Sequence, residues 1–189
     1  CISINDEIAH GIPSDRVLQE GDIVSLDVGV KKDGLCGDGA LTIGIGNISN
    51  RDQRLLRYAK QTLMEGIKII KAGIPIKEIA RIMEQFAGLR GYVINQHFGG
   101  HGLSVEMHEE PFIPHVVWPE ESNMGKMGEY VLRTGQMICL EPMLTYKDKM
   151  GYLVKDGWTV KTKDGKKSAY FEHQIEVTEN GHKILTTHI

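Results

Sequence analysis

The stretch from Gln96 to Pro111 is dense in side chains that bind metal ions or move protons. It reads Q-H-F-G-G-H-G-L-S-V-E-M-H-E-E-P and contains three histidines and three acidic residues. His101 lies between two glycines, which let the backbone come close to whatever the imidazole binds. Because G-H-G recurs in many loops, the stretch predicts a ligand site only in combination with acidic residues elsewhere in the chain.

Four acidic residues outside the stretch complete this set: Asp27, Asp38, Glu141 and Glu172. Glu141 lies inside the apolar run M-I-C-L-E-P-M-L, where an ionised carboxylate is costly to bury unless it is paired or binds a cation. Glu172 lies on a predicted strand and, taken alone, is expected to be an exposed strand acid. With His101, the four acids predict a metal site.

Asp27 and Asp38 lie on the two arms of a predicted hairpin. The first arm, D-I-V-S-L-D-V-G-V, alternates in polarity, and the turn signal K-K-D-G separates it from the second arm. A loop with an even number of residues places both side chains on one face, directly opposite or diagonal, about 5 to 8 Å apart. Like charges there repel, so a cation between them is favoured; a solvated sheet face is an equally good alternative.

The donor set defines the chemistry. Four carboxylates and one imidazole suit Mn, Fe(II), Co or Zn better than a thiolate-binding ion. Their combined charge suggests two divalent ions, which together with a shared water would hydrolyse a peptide bond beside a free amino terminus. Glu141 or another ligand carboxylate is the candidate proton acceptor. His10 or His108 is the candidate donor of a hydrogen bond to the scissile amide.

Nucleophilic catalysis has no comparable support in the sequence. The chain carries no nucleophile elbow of the form G-x-S-x-G. Cys139 lies inside an apolar strand and lacks the polar surroundings of an activated thiolate. Metal-dependent hydrolysis is therefore the enzyme class that the residues favour.

Two helices and several short strands must position these residues. Apolar spacings of three and four predict a helix from Asn50, its N-cap, to Lys71, with Gly73 after it. A second helix follows Pro75 and ends near Gly88 or Gly91. We interpret both as packing helices whose methionines fill the core.

The remaining elements are short. Ile2 and Ile4 predict a strand that a turn at Gly11 and Pro13 ends, with His10 at the turn. Residues 91–97 predict a strand, residues 118–130 a long surface loop, and residues 156–165 a further hairpin. A tight turn at residues 180–181 precedes the last strand.

Composition limits the protein class. The chain has 189 residues, 41% of them hydrophobic, which fits one domain with a substantial core. A net charge of -3 without a basic run argues against nucleic acid or an anionic membrane as main partner. Three cysteines without a C-x-x-C pair fit a reducing cytoplasm better than a disulfide framework. No apolar run reaches the roughly 18 residues of a membrane span.

The motifs resemble those of type I methionine aminopeptidases, metallopeptidases with the pita-bread fold. In family order the chain contains C-I-S-I-N-D-E-I-A-H-G-I-P, D-I-V-S-L-D-V, G-H-G-L-S with H-E-E-P, C-L-E-P-M, D-G-W-T-V and F-E-H-Q-I-E-V-T-E-N-G. The resemblance implies an α+β fold in which helices cover a curved antiparallel sheet. It also implies one metallopeptidase catalytic domain over residues 1–189 that lacks the family's N-terminal segment.

The resemblance also implies roles for individual residues. The implied metal ligands are Asp27, Asp38, His101, Glu141 and Glu172. His10 and His108 are implied to contact the substrate near the scissile bond, while Cys1 and Trp158 help to form the methionine pocket. Met107 occupies a substrate-site position where the family commonly has an aromatic residue. Asn5 and Ser168 match positions near a monovalent-cation site in some members.

The family removes the initiator methionine from nascent chains. The implied partners are therefore peptides with an N-terminal methionine, nascent chains and the ribosome, with a cytoplasmic monomer and neither nucleic acid nor membrane as a direct partner. Two alternatives stay open at this stage. One is a proline-specific aminopeptidase or prolidase with the same fold, and the other is a non-catalytic pita-bread protein that binds peptides.

Overall fold

The computed structural model describes residues 1–187 as antiparallel sheets against which two long helices pack. The strands are β1 (Ile2–Ile4), β2 (Glu7–Ala9), β3 (Ile23–Asp27), β4 (Val30–Lys32), β5 (Leu35–Gly37), β6 (Ala40–Gly44), β7 (Val93–Ile94), β8 (Gly99–Gly102), β9 (Glu109–Pro114), β10 (Met137–Leu140), β11 (Leu144–Thr145), β12 (Tyr152–Leu153), β13 (Val160–Lys161), β14 (His173–Val177) and β15 (His182–Ile184). The helices are α1 (Asn50–Ile67), α2 (Ile76–Gly88) and α3 (Asn123–Gly128).

Helices α1 and α2 cover the largest sheet. That sheet has the strand order β15-β14-β10-β8-β9. The apolar stripes of both helices, including Leu63 of α1 and Met83 of α2, are fully buried in one cluster with Ile138 of β10 and Ile175 of β14. This layer of helices on an antiparallel sheet confirms the predicted α+β class.

The ends of α1 differ from the prediction. Ser49, rather than Asn50, is the N-cap, because its hydroxyl accepts the Asp52 backbone N–H. The helix ends at Ile67, before Lys71. Beyond it, Ile70 N–H donates to the Ile67 carbonyl in a tighter turn, and Ile70 stays buried. The apolar periodicity therefore continues past the end of the helix. For this reason the sequence placed the end of α1 too far along the chain. Helix α2 lies between Pro75 and Gly88, as predicted.

The predicted hairpin is present in one continuous register. Strands β4 and β5 pair Lys32 with Leu35, and β3 and β6 pair Asp27 with Ala40. The two loop residues, Asp33 and Gly34, have φ of 51° and 83°. Positive φ at both positions is characteristic of a type I′ turn. The loop length is even, so Asp38 lies diagonal to Asp27 on the same face.

Three other segments depart from the sequence-based expectation. The chain bends at Asn5, whose φ is 58°, so the first predicted strand is two strands, β1 and β2. The strand predicted for residues 91–97 contains only β7. The hairpin expected at residues 156–165 is formed by β12 and β13. Strand β12 lies before that range, and β13 lies within it.

The segment 118–130 is not purely a loop, because it contains α3, capped by the Ser122 hydroxyl. Because glycine disfavours helix, the sequence did not predict this helix. A Cβ on Gly125 would collide with the Pro119 carbonyl oxygen, so glycine serves close packing there. The segment packs beside α2 and does not line the cavity described below. None of the helices within residues 1–187 combines the length and apolar character that crossing a bilayer requires.

Candidate metal centre

One cavity of about 340 Å³ brings together all the residues that the sequence analysis placed in the site. The predicted residues that line it are Cys1, His10, Asp27, Asp38, His101, Met107, His108, Glu141, Trp158 and Glu172. They come from segments far apart in the chain. Strand register explains how they meet.

Backbone pairing through Ala40 places the carboxylates of the hairpin beside Glu172. Asp27 pairs with Ala40 across β3 and β6, and Ala40 forms an antiparallel bridge with Glu172. The two acidic residues therefore flank Ala40 from opposite sides. Asp38 lies two residues from Ala40 and shares its face.

The five-stranded sheet places the other two ligand candidates on the same face. His101 of β8 lies opposite Cys139 of β10, and Leu140 lies opposite His173 of β14. Continuing that register by one residue puts Glu141 opposite Glu172 at the end of the ladder. Because side chains alternate along a strand, His101 and both glutamates point to one side.

His101 is oriented for binding a metal through Nε2. Its Nδ1 lies 3.0 Å from the Gly102 carbonyl oxygen, so the Nδ1 proton is donated there. Nε2 lies 3.8 Å from Asp38 Oδ2 and 3.6 Å from Glu141 Oε1. Burial lowers the pKa of His101, which favours the neutral imidazole that a metal requires.

The carboxylates carry more negative charge than their surroundings neutralise. Burial, reinforced by neighbouring carboxylates, raises the pKa of Asp38, Glu141 and Glu172, the last two well above their ordinary values. Within residues 1–187, the buried Glu172 Oε1 has no hydrogen-bond partner. A buried carboxylate oxygen without a donor, facing other acids and a neutral imidazole, fits a cation. The residues present therefore fit divalent metal.

Cys139 lies close enough to be considered a ligand. Its sulfur, one oxygen each of Asp38 and Glu172, and a His101 nitrogen all lie within 4.8 Å of one another. Burial and the neighbouring carboxylates, led by Glu172, raise the pKa of the Cys139 thiol. The thiol is therefore protonated and a poor ligand or nucleophile. The sequence analysis also concluded that Cys139 is not an activated thiolate, because its strand is apolar. The structure shows that the neighbouring carboxylates contribute to the same result.

His115 contacts the backbone of one ligand candidate, Glu141. Its Nε2 accepts the Glu141 backbone N–H at 3.4 Å, and burial, with the charge of His101, lowers the pKa of His115 to about 3. It is therefore a neutral, hydrogen-bonded histidine.

His10 and His108 lie at the cavity with their rings in defined contacts. His10 packs between Phe98 and Trp158, at ring-centroid distances of 5.3 and 5.5 Å. Its Nδ1 lies 4.0 Å from the Cys1 sulfur, and burial lowers its pKa. The His108 ring lies 4.4 Å from that of His101.

Sequence analysis missed several residues of the site. Phe98, Phe112 and His97 also line the cavity, and none of them was assigned a role from the sequence. Tyr170 was not assigned to the site from the sequence, yet its hydroxyl donates to Asp27 Oδ2 at 3.0 Å. The one available signal in the sequence was that Tyr170 lies two residues before Glu172, so that both side chains share one face of an extended strand.

The glycines of the G-G-H-G motif also have a packing role that the sequence analysis did not predict. A Cβ on Gly100 would collide with the Cys139 carbonyl oxygen, and one on Gly102 with the Glu110 carbonyl oxygen. These glycines let β8 approach the neighbouring backbones of β10 and β9. The close approach that the structure shows is therefore between strands.

Comparison with known proteins identifies the family. Residues 1–179 match the model of metallopeptidase family M24. The chain belongs to this family. Membership of M24 makes the protein a metal-dependent hydrolase, in agreement with the donor set of the cavity.

Individual M24 relatives resemble the chain over nearly its whole length. Methionine aminopeptidase 1 of Bacillus subtilis is 39% identical over 186 residues, which are 98% of this chain and 72% of that protein. The crystal structure of methionine aminopeptidase from Thermotoga maritima matches with a TM-score of 0.91 at 38% identity, covering 98% of this chain and 72% of that one.

A prolidase shares the fold at greater distance. Prolidase from Pyrococcus furiosus matches with a TM-score of 0.74 at 25% identity, covering 100% of this chain and 48% of that one. The structural matches confirm the predicted pita-bread fold of this M24 chain.

Proposed function

We propose that this chain is a type I methionine aminopeptidase, which hydrolyses the peptide bond after an N-terminal methionine. The observation that carries the proposal is that five metal-ligand candidates and two substrate-facing histidines line one cavity of about 340 Å³. Relatives at about 40% identity are named methionine aminopeptidase.

The proposed ligands are Asp27, Asp38, His101, Glu141 and Glu172. Bound among them, two divalent ions would lower the pKa of a water molecule and polarise the scissile carbonyl. Mn, Fe(II), Co and Zn all suit this donor set.

Glu141 is the proposed proton acceptor. It directly follows β10, lies opposite Glu172 and lines the cavity. With metal bound beside it, this carboxylate could accept a proton from water and return it to the leaving amine.

His10 and His108 are the proposed hydrogen-bonding partners of the substrate. The ring contacts of His10 with Phe98 and Trp158 hold its imidazole at the cavity wall. A donor placed before the reaction stabilises the charge that develops on the scissile amide, and its removal typically costs about 100- to 1,000-fold in kcat.

The cavity wall next to these histidines suits a methionine side chain. Cys1, Phe98, Met107, Phe112 and Trp158 provide sulfur and aromatic surfaces. A thioether packs favourably against such groups. Met107, where the family commonly has an aromatic residue, is expected to alter the shape of this pocket.

Turnover of defined peptides tests the function. We expect the metal-loaded protein to cleave Met-Ala-Ser, a chelator to abolish cleavage, and His10→Ala to lower kcat about 100- to 1,000-fold. His182→Ala serves as the control, since His182 bonds to the Ile70 carbonyl oxygen far from the cavity. A chain that binds metal but cleaves no methionyl peptide would contradict the proposal.

The same experiment addresses the two alternatives. A proline-specific enzyme would prefer Xaa-Pro peptides, and a peptide-binding protein would retain peptide without turnover. The prolidase match is weaker than the methionine aminopeptidase match in both identity and TM-score, which favours the methionine enzyme.

A monovalent-cation site near Asn5 and Ser168 is proposed as well. The two residues are neighbours, since Ser168 N–H donates to the Asn5 carbonyl oxygen at 2.8 Å. Lys167, the residue before Ser168, donates from Nζ to the Gly21 carbonyl oxygen at 2.5 Å. One positive charge therefore already lies near the proposed cation site. Potassium-dependent thermal stability, compared with sodium and choline, tests the site.

We further propose a cytoplasmic monomer that acts on nascent chains at the ribosome, with residues 1–189 as one catalytic domain. The three cysteines are free thiols, which suits a reducing compartment. Sedimentation of the purified chain, alone and with ribosomes, tests the oligomeric state and the ribosome contact.

A further inference from the structure

Tyr170 is a buried tyrosine directly behind the candidate metal centre. Its side chain is 0% exposed and packs with Ile8, Met143 and Val160. Its hydroxyl donates to Asp27 Oδ2 at 3.0 Å, across a separation of 143 residues in the chain. A phenol has one proton to donate, so this bond defines which Asp27 oxygen faces the ring.

The backbone of Tyr170 is held by a second buried contact. Its N–H donates to Thr42 Oγ1 at 3.1 Å, and the Thr42 hydroxyl donates to its carbonyl oxygen at 2.7 Å. Ser25 Oγ lies 2.8 Å from the same Thr42 oxygen and completes its hydrogen bonding. Ser25 and Thr42 are paired across β3 and β6, the strand pair that also contains Asp27. The ring and the carboxylate are therefore tied to the same two strands.

We propose that Tyr170 is a positioning residue that orients the Asp27 carboxylate for metal binding. The proposal rests on the proposed function of the metal centre. With Oδ2 bonded to the phenol, Oδ1 and the remaining lone pairs of Asp27, a residue that lines the cavity, are left for a metal. Tyr170 itself is absent from the described residues that line the cavity, so it acts through Asp27.

Outer partners of this kind fix the orientation of a ligand, and their loss typically costs 10- to 100-fold in metal affinity. Tyr170→Phe removes only the hydroxyl and keeps the ring in its packing. We therefore expect the dissociation constant for Mn²⁺ alone, measured by titration calorimetry on the metal-free protein, to rise 10- to 100-fold. The fold of the metal-free variant is checked by its thermal unfolding midpoint.

Tyr146→Phe is the matched control. The Tyr146 hydroxyl is also buried, but it has no hydrogen-bond partner within the part of the chain that the structure describes. Its removal is expected to leave the Mn²⁺ dissociation constant unchanged. A double-mutant cycle with Asp27→Asn adds a second test, because Tyr170→Phe should have little further effect once the carboxylate is gone.

Thr42→Val provides a second variant that loosens the Tyr170 backbone without touching the ring, and a smaller rise in the dissociation constant is expected. The proposal is overturned if Tyr170→Phe binds Mn²⁺ like the wild type, or if it weakens binding equally in the Asp27→Asn background. A wild-type protein that binds no Mn²⁺ would overturn the metal centre itself, which is a different result.

Discussion

Among single residues, Glu172 shows most directly how the candidate site depends on a bound cation. Its carboxylate is 2% exposed, lies among other acids, and has one oxygen with no donor in residues 1–187. Such a group is destabilising in the absence of metal and a strong ligand in its presence. Stability and binding should therefore respond to its removal in opposite directions.

Glu172→Gln is expected to stabilise the metal-free protein by about 1–3 kcal/mol, since it removes a buried charge that repels Asp38. The same change should greatly reduce the stabilisation that added Mn²⁺ provides. Urea unfolding with and without metal measures both effects. Glu176→Gln, on the same strand β14, is the control and should change neither. A destabilised metal-free Glu172→Gln protein would show that the carboxylate has unrecognised partners.

Asp148 shows the opposite kind of acidic residue, one whose charge is satisfied. Burial alone would raise the pKa of Asp148, but hydrogen bonds from the backbone N–H groups of Lys163, Gly151 and Met150 lower it. A lowered folded-state pKa means stabilisation that is present above the unfolded value, about 3.9, and lost as pH falls through the folded value.

Asp148→Ala should therefore lower the free energy of unfolding of the metal-free protein by about 1–2 kcal/mol at pH 7. The difference from the wild type should shrink below about pH 4, where the carboxylate becomes protonated. Urea unfolding from pH 3 to pH 7 measures it, with Asp15→Ala as an exposed control. A difference that does not vary with pH would contradict the role of the charge.

Among the elements, strand β8 combines two demands. It must present His101 to the cavity and lie close to β9 and β10 on either side. The absence of a Cβ at Gly100 and Gly102 satisfies the second demand, because each added carbon would collide with a neighbouring carbonyl oxygen. The position of the ligand therefore depends on close packing between strands.

Gly100→Ala is expected to destabilise the protein by about 1–3 kcal/mol, the usual cost of overpacking, and to weaken metal binding by displacing His101. Gly88→Ala is the matched control. A Cβ on Gly88, at the end of α2, meets nothing within 4 Å, so that change should be neutral or slightly stabilising. Equal effects of the two substitutions on Mn²⁺ affinity would refute the packing argument.

The elements also show where sequence patterns succeed and fail. The hairpin from β3 to β6 and helix α2 were predicted correctly, because an Asp-Gly turn and an apolar stripe after a proline are local signals. Helix α3 was missed, because glycine disfavours helix locally while Gly125 is needed for contact with the Pro119 carbonyl. Tertiary packing outweighed local propensity there.

In the whole molecule, the site draws its ligand candidates from two parts of the chain, which the Ala40–Glu172 bridge also joins. Asp27 and Asp38 belong to the hairpin, whereas His101 lies in the sheet beneath the helices and Glu141 and Glu172 directly adjoin its strands β10 and β14. A metal that binds only the folded state stabilises it by about 4 kcal/mol at a thousand times its dissociation constant. For a chain of 150 to 250 residues each kcal/mol shifts the unfolding midpoint by about 2–4 °C.

We therefore expect a chelator to lower the unfolding midpoint of the Mn²⁺-loaded protein by about 8–16 °C. In His101→Ala the chelator should have a much smaller effect, because a ligand is missing. His182→Ala should respond like the wild type. Differential scanning calorimetry measures all three, and a wild-type midpoint that is indifferent to chelator would contradict metal binding in the cavity.

The sequence by itself determined the ligand types, the two long helices, the hairpin and the family resemblance, because each depends on residue identity or on spacing along a short stretch. Only the tertiary structure decided that Glu172 is buried, that the glycines of β8 serve strand packing, and that Tyr170 bonds to Asp27. Those facts depend on register between strands distant in sequence. Local periodicity predicts which residues share a face, whereas contacts formed across the chain decide which face is buried and against which partner.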